Sequence, residues 1–275
     1  MIFKNDLNGL SLNDHVVREL NSHSKINIPT GNQLYYAQKK LELFERYQTA
    51  RMFMRMLDDK EILQYIASKI CTSNHDLMIE GIKCDFYEAA LFNYNIIVDM
   101  SWLLTLAAAE YIVYKDNESQ EKPDFTLLYE CLKIKDAKDA IYKIESLSTS
   151  PEYNEKSLFK YLKKINIPYE YAINYVNEFW KTFQNDDIRH NYNYIKHKGK
   201  PIYYNEKIGD ISKEWSIYDG DELISANIQD TRTSVNIDEE IKKLLKFDND
   251  TLFPYIKKLE SLLEKNIDIS DTILS

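Results

Sequence analysis

Glycine and proline are both scarce in this chain, six of each in 275 residues. Each shortage argues against a fold of many short strands, whose tight turns draw on both residues. Cysteine is scarcer still. Cys71, Cys84 and Cys131 are odd in number and far apart, with no CxxC or Cys/His cluster. That disfavours a disulfide framework and a structural zinc site, and leaves reduced thiols packing in a core, as expected of a cytoplasmic protein. Positive charge is also in deficit, 35 Lys and Arg against 44 Asp and Glu, for a net charge of −9. An acidic surface repels nucleic acid and anionic membrane, so a polyanion would have to be received at a local patch. The opening Met1–His15 stretch has no long apolar core and no small-residue cleavage site, so no signal peptide is read. There is no Gly-rich phosphate loop, no G-x-S-x-G elbow and no Glu-x-x-His pair. Those absences disfavour a P-loop site, serine hydrolysis and a di-iron centre. No metal and no cofactor are expected.

What is present reads as helix. Residues 1–30 are a mixed polar lead-in with room for one short helix near 13–21. A single helical domain is expected from 31 to 275. Leu34, Ala37, Leu41, Phe44, Tyr47, Arg51, Met54 and Leu57 recur at three- and four-residue steps, the period of one helix face. Asp58 and Asp59 then open a second helix carrying Ile62, Leu63, Ile66 and Ile70. Residues 84–114 form the most apolar segment, but Asp99, Thr105 and Glu110 interrupt it. Charges at a bilayer centre are costly, so a buried helix is expected and not a membrane span.

Shorter helices are expected at 124–133, 136–146 and 155–165. Residues 169–184 follow, where Tyr171, Tyr175, Phe179 and Phe183 at four-residue spacing, flanked by Ala172, Val176 and Trp180, suggest a core stripe. From 201 to 237 the character changes. Pro201–Tyr204 is β-like, Asp219-Gly220 is a turn signal and Leu223–Ile228 suits a strand, so a small hairpin or irregular insert is expected. Helix returns with Asp238 as N-cap, and a last helix covers about 250–266 with Pro254 in its first turn. The expected fold class is all-α, an up-and-down helical bundle with this small insert.

The chemistry is concentrated at residues 187–200. Arg189, Asn193, Lys196 and His197 stand at i, i+4, i+7 and i+8, so on a helix advancing about 100° per residue they fall along one face. His190 and His197, seven apart, nearly superpose. Guanidinium, amide, ammonium and imidazole together suit a phosphate, with fixed charge beside a group that titrates near neutral pH. No acid lies between Arg189 and Lys200, so Lys196, Lys198 and Lys200 extend a basic patch for RNA or phosphate. The plainer reading is a helix C-terminus whose cations complement the macrodipole, with Gly199 as cap and Pro201 beyond it. Asp99 and Glu110 share a face of the apolar helix, and a buried carboxylate needs a partner. Either they lie on the one wet stripe of this helix or bond nearby hydroxyls, or Asp99 receives the Arg189 side chain and fixes its orientation.

Tyr94–Trp102 on the apolar helix and Ile188–Gly199 together resemble the HEPN superfamily, most closely one of its bacterial branches, over roughly 85–265. The resemblance implies an all-α bundle, usually a homodimer, with the Arg/His motif of each chain at the interface. It further implies metal-independent endoribonuclease activity in toxin–antitoxin or phage-defence systems, with an antitoxin or other protein as possible partner. In that chemistry Arg189 neutralises the phosphate, His190 fills the polar position after the arginine, and His197 is general acid or base. The spacing departs from the family: seven residues separate Arg189 from His197, one more than the family pattern allows. The alternative function is a non-catalytic helical module that binds nucleotide, RNA or a protein through the same patch.

Overall fold

The computed structural model describes residues 31–70, 75–108, 170–205, 209–210, 217–220, 222–224 and 232–264. The lead-in, Glu110 and the helices expected at 124–133, 136–146 and 155–165 lie outside the described residues. The fold is all-α with a small strand insert. In chain order, α1 spans Gly31–Met56, α2 Lys60–Ile70, α3 His75–Ala108, α4 Glu170–Phe183 and α5 Asp187–Lys198. Strands β1 (Ile202–Asn205), β2 (Gly209–Asp210), β3 (Ile217–Asp219), β4 (Glu222–Ile224) and β5 (Ser234–Asn236) follow. The chain closes with α6 (Ile237–Phe247), a π turn (Asp248–Leu252) and α7 (Phe253–Glu264).

Helix starts sit where short polar side chains can take the first unpaired N–H groups. Asp59 opens α2, as its sequence position suggested, accepting from Glu61 N at 3.1 Å and Ile62 N at 3.0 Å. At α6 the cap is Asn236, whose Oδ1 accepts from Asp238 N and Glu239 N. The sequence pointed to Asp238, two residues late, because both Asn and Asp are good capping residues. No described helix is long and apolar enough to cross a membrane. The polar residues inside α3 turn back on their own helix: Asn95 donates to Leu91 O, Ser101 to Val98 O and Thr105 to Ser101 O. Local back-bonding satisfies a donor on each of the three, all of them buried.

The described residues sort into two compact units. The first holds Gln48–Asn95 and Phe183–Leu252. Its core includes Met54, Leu63, Leu91, Ile188, Ile241 and Leu244, all buried. Arg51, which the sequence places in an apolar stripe, is 0 % exposed here. Its Nε reaches Asp248 Oδ2 at 2.8 Å, and Tyr94 OH donates to the same oxygen at 2.8 Å. A buried guanidinium is tolerable only with such a partner.

The second unit holds residues 31–47, 96–108, 170–182 and 253–264. Tyr255 is its centre, stacked on Phe179 with centroids 3.6 Å apart and donating to Ser101 Oγ at 2.7 Å. In α4 the stripe differs from expectation. Ala172, Ile173 and Val176 are buried, whereas Tyr171 is 80 % exposed. Four-residue steps gain about 40° each over a 3.6-residue turn, so three of them carry a residue a third of the way round the helix.

The insert is two small sheets. β1 is central in the order β2-β1-β5, antiparallel to β2 and parallel to β5, with Ile202 opposite Ser234. β3 and β4 form the hairpin expected at Asp219-Gly220, where Gly220 takes φ 64°. β5 has no counterpart in the sequence reading: three residues pairing with a strand thirty positions earlier leave no local periodicity.

Candidate functional site

Helix α5 is fixed at both ends. Asp186 Oδ1 accepts from Ile188 N at 2.8 Å, and Gly199 at φ 88° donates its N–H to Ile195 O. Gly199 is thus the C-cap that the sequence indicated. Ile188 and Tyr192, one turn apart, are buried and set the helix phase. Tyr192 meets Phe92 edge-on at 5.0 Å. Every other side chain of α5 follows from that phase.

On one flank lies Arg189, half-buried. Its Nη1 donates to Asn95 Oδ1 at 3.3 Å, and its guanidinium carbon lies 5.1 Å from the Tyr192 ring centroid and 5.8 Å from that of Phe183. Two aromatic rings and an amide therefore hold the guanidinium in place. Lys196 reaches over the Tyr192 ring at 5.6 Å. Asn193 is half-buried, and Lys196 and His197 are exposed. The His197 side chain makes no hydrogen bond or ion pair among the described residues. Asp99 is half-buried on α3, one turn beyond Asn95, and belongs to the second unit. Within the first unit Asn95 helps to orient Arg189, a role not expected from the sequence.

The opposite flank faces a pocket of about 140 Å³. His190, Asn191 and Tyr194 reach it from α5, and Tyr87, Tyr203 and Glu240 from α3, β1 and α6. Glu240 is buried and accepts from Asn191 Nδ2 at 2.5 Å, Tyr87 OH at 3.4 Å and Lys243 Nζ at 2.8 Å. Burial, then the negative charge of Glu240, pushes the Tyr87 hydroxyl up. Burial and Glu88 do the same for Tyr203. Both remain protonated donors at neutral pH. Tyr194 is shifted the other way, because the Thr233 N–H donates to its oxygen at 3.0 Å and favours the phenolate.

The basic run divides. Lys198 lies over the Tyr194 ring at 5.6 Å. Lys200 contacts Asp85 closely and Glu88 at 3.7 Å. Burial disfavours its ammonium, but those carboxylates outweigh it and raise the pKa. The sequence shows no acid between 189 and 200, but α3 supplies two from more than a hundred residues earlier, so part of the Lys200 charge is committed. Burial raises Glu88, with Lys200 opposing, and pushes the Cys84 thiol up to about 12, leaving it unreactive. Among the described residues no three His, Cys, Asp or Glu are grouped to hold a metal ion.

The pocket is what the sequence did not reveal. Glu240 reads as one of the acids favoured in a helix's first turn. The available signal was its phase: Ile237, Glu240, Ile241 and Leu244 stand at i, i+3, i+4 and i+7, placing a carboxylate on the apolar face. No protein-family model, curated protein or solved structure matches this chain.

Proposed function

We propose that the chain is a HEPN-like, metal-independent endoribonuclease acting in a toxin or phage-defence setting, with α5 as its RNA-binding and catalytic helix. The observation that carries this reading is Arg189, held by Asn95, Phe183 and Tyr192 on a helix whose His190 and His197 remain exposed. A guanidinium already fixed in orientation binds a phosphate with less entropy to lose, and its hydrogen bonds strengthen as charge develops. The ribose 2′-OH attacks the adjacent phosphorus, the bond to the 5′ oxygen breaks, and a cyclic phosphate is left. His197 takes the proton from the nucleophile or gives one to the leaving oxygen, with Lys196 and Lys198 along the RNA backbone. A homodimer would bring two such helices together, and an antitoxin or other protein would be the natural partner.

A second reading is favoured by His197, which no described residue orients, and by the commitment of Lys200 to Asp85 and Glu88. It is a non-catalytic module that binds RNA, nucleotide or a protein through the same helix. One assay separates the two. Purified protein in EDTA should cut RNA to cyclic-phosphate ends, and Arg189→Ala and His197→Ala should each slow cutting by about 100-fold or more. RNA that is bound but never cut would leave the binding module. Equal cleavage by both variants would end the ribonuclease assignment to α5.

A further inference from the structure

We infer that the pocket between α5, Tyr87 and Glu240 is a binding site for a guanine base. The inference rests on the ribonuclease reading only in naming RNA as the source of that base. At about 140 Å³ the pocket is smaller than the roughly 300 Å³ at which sites for drug-sized ligands begin, so it suits one ring system, not a whole nucleotide. Its walls are aromatic and apolar. Tyr87 and Tyr203 meet edge-to-face at 6.2 Å, and Ile195, Pro201 and Val235 also line it. Such walls suit a planar heterocycle.

Polarity enters through Glu240, whose carboxyl oxygens accept from every partner seen. Among the described residues Asn191 and Tyr87 donate to its Oε2 and Lys243 to its Oε1, out of about four lone-pair positions. One position is left, and the 3.4 Å bond from Tyr87 is long enough to yield a second. Two adjacent N–H donors are therefore the complementary edge. Guanine offers that pair in its ring N1–H and exocyclic amino group. Adenine and cytosine set one donor beside an acceptor, and uracil sets one between two carbonyl oxygens, so each would turn a lone pair toward the carboxylate. His190 also lines the pocket and is exposed, so α5 carries the base subsite on one flank and Arg189 on the other.

Calorimetry on the full chain tests this with nucleosides, which carry no phosphate for Arg189. Guanosine should bind at least about tenfold more tightly than adenosine, cytidine or uridine. Inosine, which lacks the amino group, should lose about tenfold, and 1-methylguanosine should lose more. Glu240→Gln should lose the preference. Because Glu240 is buried and bonded, the ligand series keeps the test independent of that variant's folding. Equal binding of all four nucleosides, or of none, overturns the inference. A short single-stranded RNA with one guanosine, compared with guanosine monophosphate and a guanosine-free RNA, identifies the source. Guanosine binding without RNA cleavage keeps the pocket and ends the ribonuclease reading. RNA cleavage without guanosine binding does the reverse.

Discussion

Two buried carboxylates eight residues apart, Glu240 on α6 and Asp248 just after it, meet α3 in the same way and end up with different roles. Tyr94 donates to Asp248 at 2.8 Å, and Tyr87, seven residues earlier, donates to Glu240 at 3.4 Å. At Asp248 another partner is Arg51, and both side chains are 0 % exposed. At Glu240 the partners are an amide and a half-exposed lysine, and a pocket opens beside it. Closure by an arginine makes the first a structural knot in the first unit. Closure by weaker, more accessible partners makes the second a surface for a ligand. The same Tyr-to-carboxylate pairing is thus no guide to role; the third partner and access decide it.

That contrast is broken most severely at Arg51. Arg51→Ala leaves a buried carboxylate uncompensated and should lower stability by about 3–5 kcal/mol, read by urea denaturation. The double replacement Arg51→Met with Asp248→Leu should recover much of that loss. A single variant as stable as the parent would mean that the knot holds nothing. Next is Glu240→Gln, expected to cost about 1–3 kcal/mol because neighbouring donors lose a charged acceptor. The tyrosines divide. Tyr94→Phe should cost about 1.5–3 kcal/mol, as for a hydrogen bond to a charged group, and Tyr87→Phe clearly less, since its bond is long. Reversal of that order in thermal melts would remove the distinction between the two sites.

The smallest effect is in pH. Burial raises the Glu88 carboxyl, so the folded protein holds that proton more tightly than the unfolded chain. Its contribution is most favourable below the ordinary carboxyl value and is lost as pH rises through the raised one. Glu88→Gln should therefore flatten the decline in melting temperature across mildly acidic pH. An unchanged slope would show that Lys200 fully offsets the burial.

The parts legible in the sequence were those written locally. Asp59, Gly199 and the Asp219-Gly220 turn act on neighbours a few residues away, and each sits where its chemistry suggested. The buried run in α3 declared itself by length and apolarity, with Asp99 correctly noted as an interruption. Arg51 shows the limit. Its phase placed it on the core face, but its partner is 197 positions on, and nothing local marks Asp248 as that partner. Glu240 was hidden in the same way, since Tyr87 lies 153 residues before it. Tyr171 went astray because strict four-residue spacing outruns the helix turn. At the motif itself, sequence found the helix and Arg189. Asn95, the Phe183 and Tyr192 rings and the pocket on the far flank required the fold.

The central claim is that α5 receives RNA at Arg189. The direct measurement is fluorescence anisotropy of a labelled single-stranded RNA against wild type and Arg189→Ala, titrated at several salt concentrations, with melting curves to confirm that both are folded. Wild type should bind with affinity that falls as salt rises, and Arg189→Ala should bind more weakly with a shallower salt slope, having lost a phosphate contact. Equal affinity and equal slope for two folded proteins would contradict the claim and move the site away from α5.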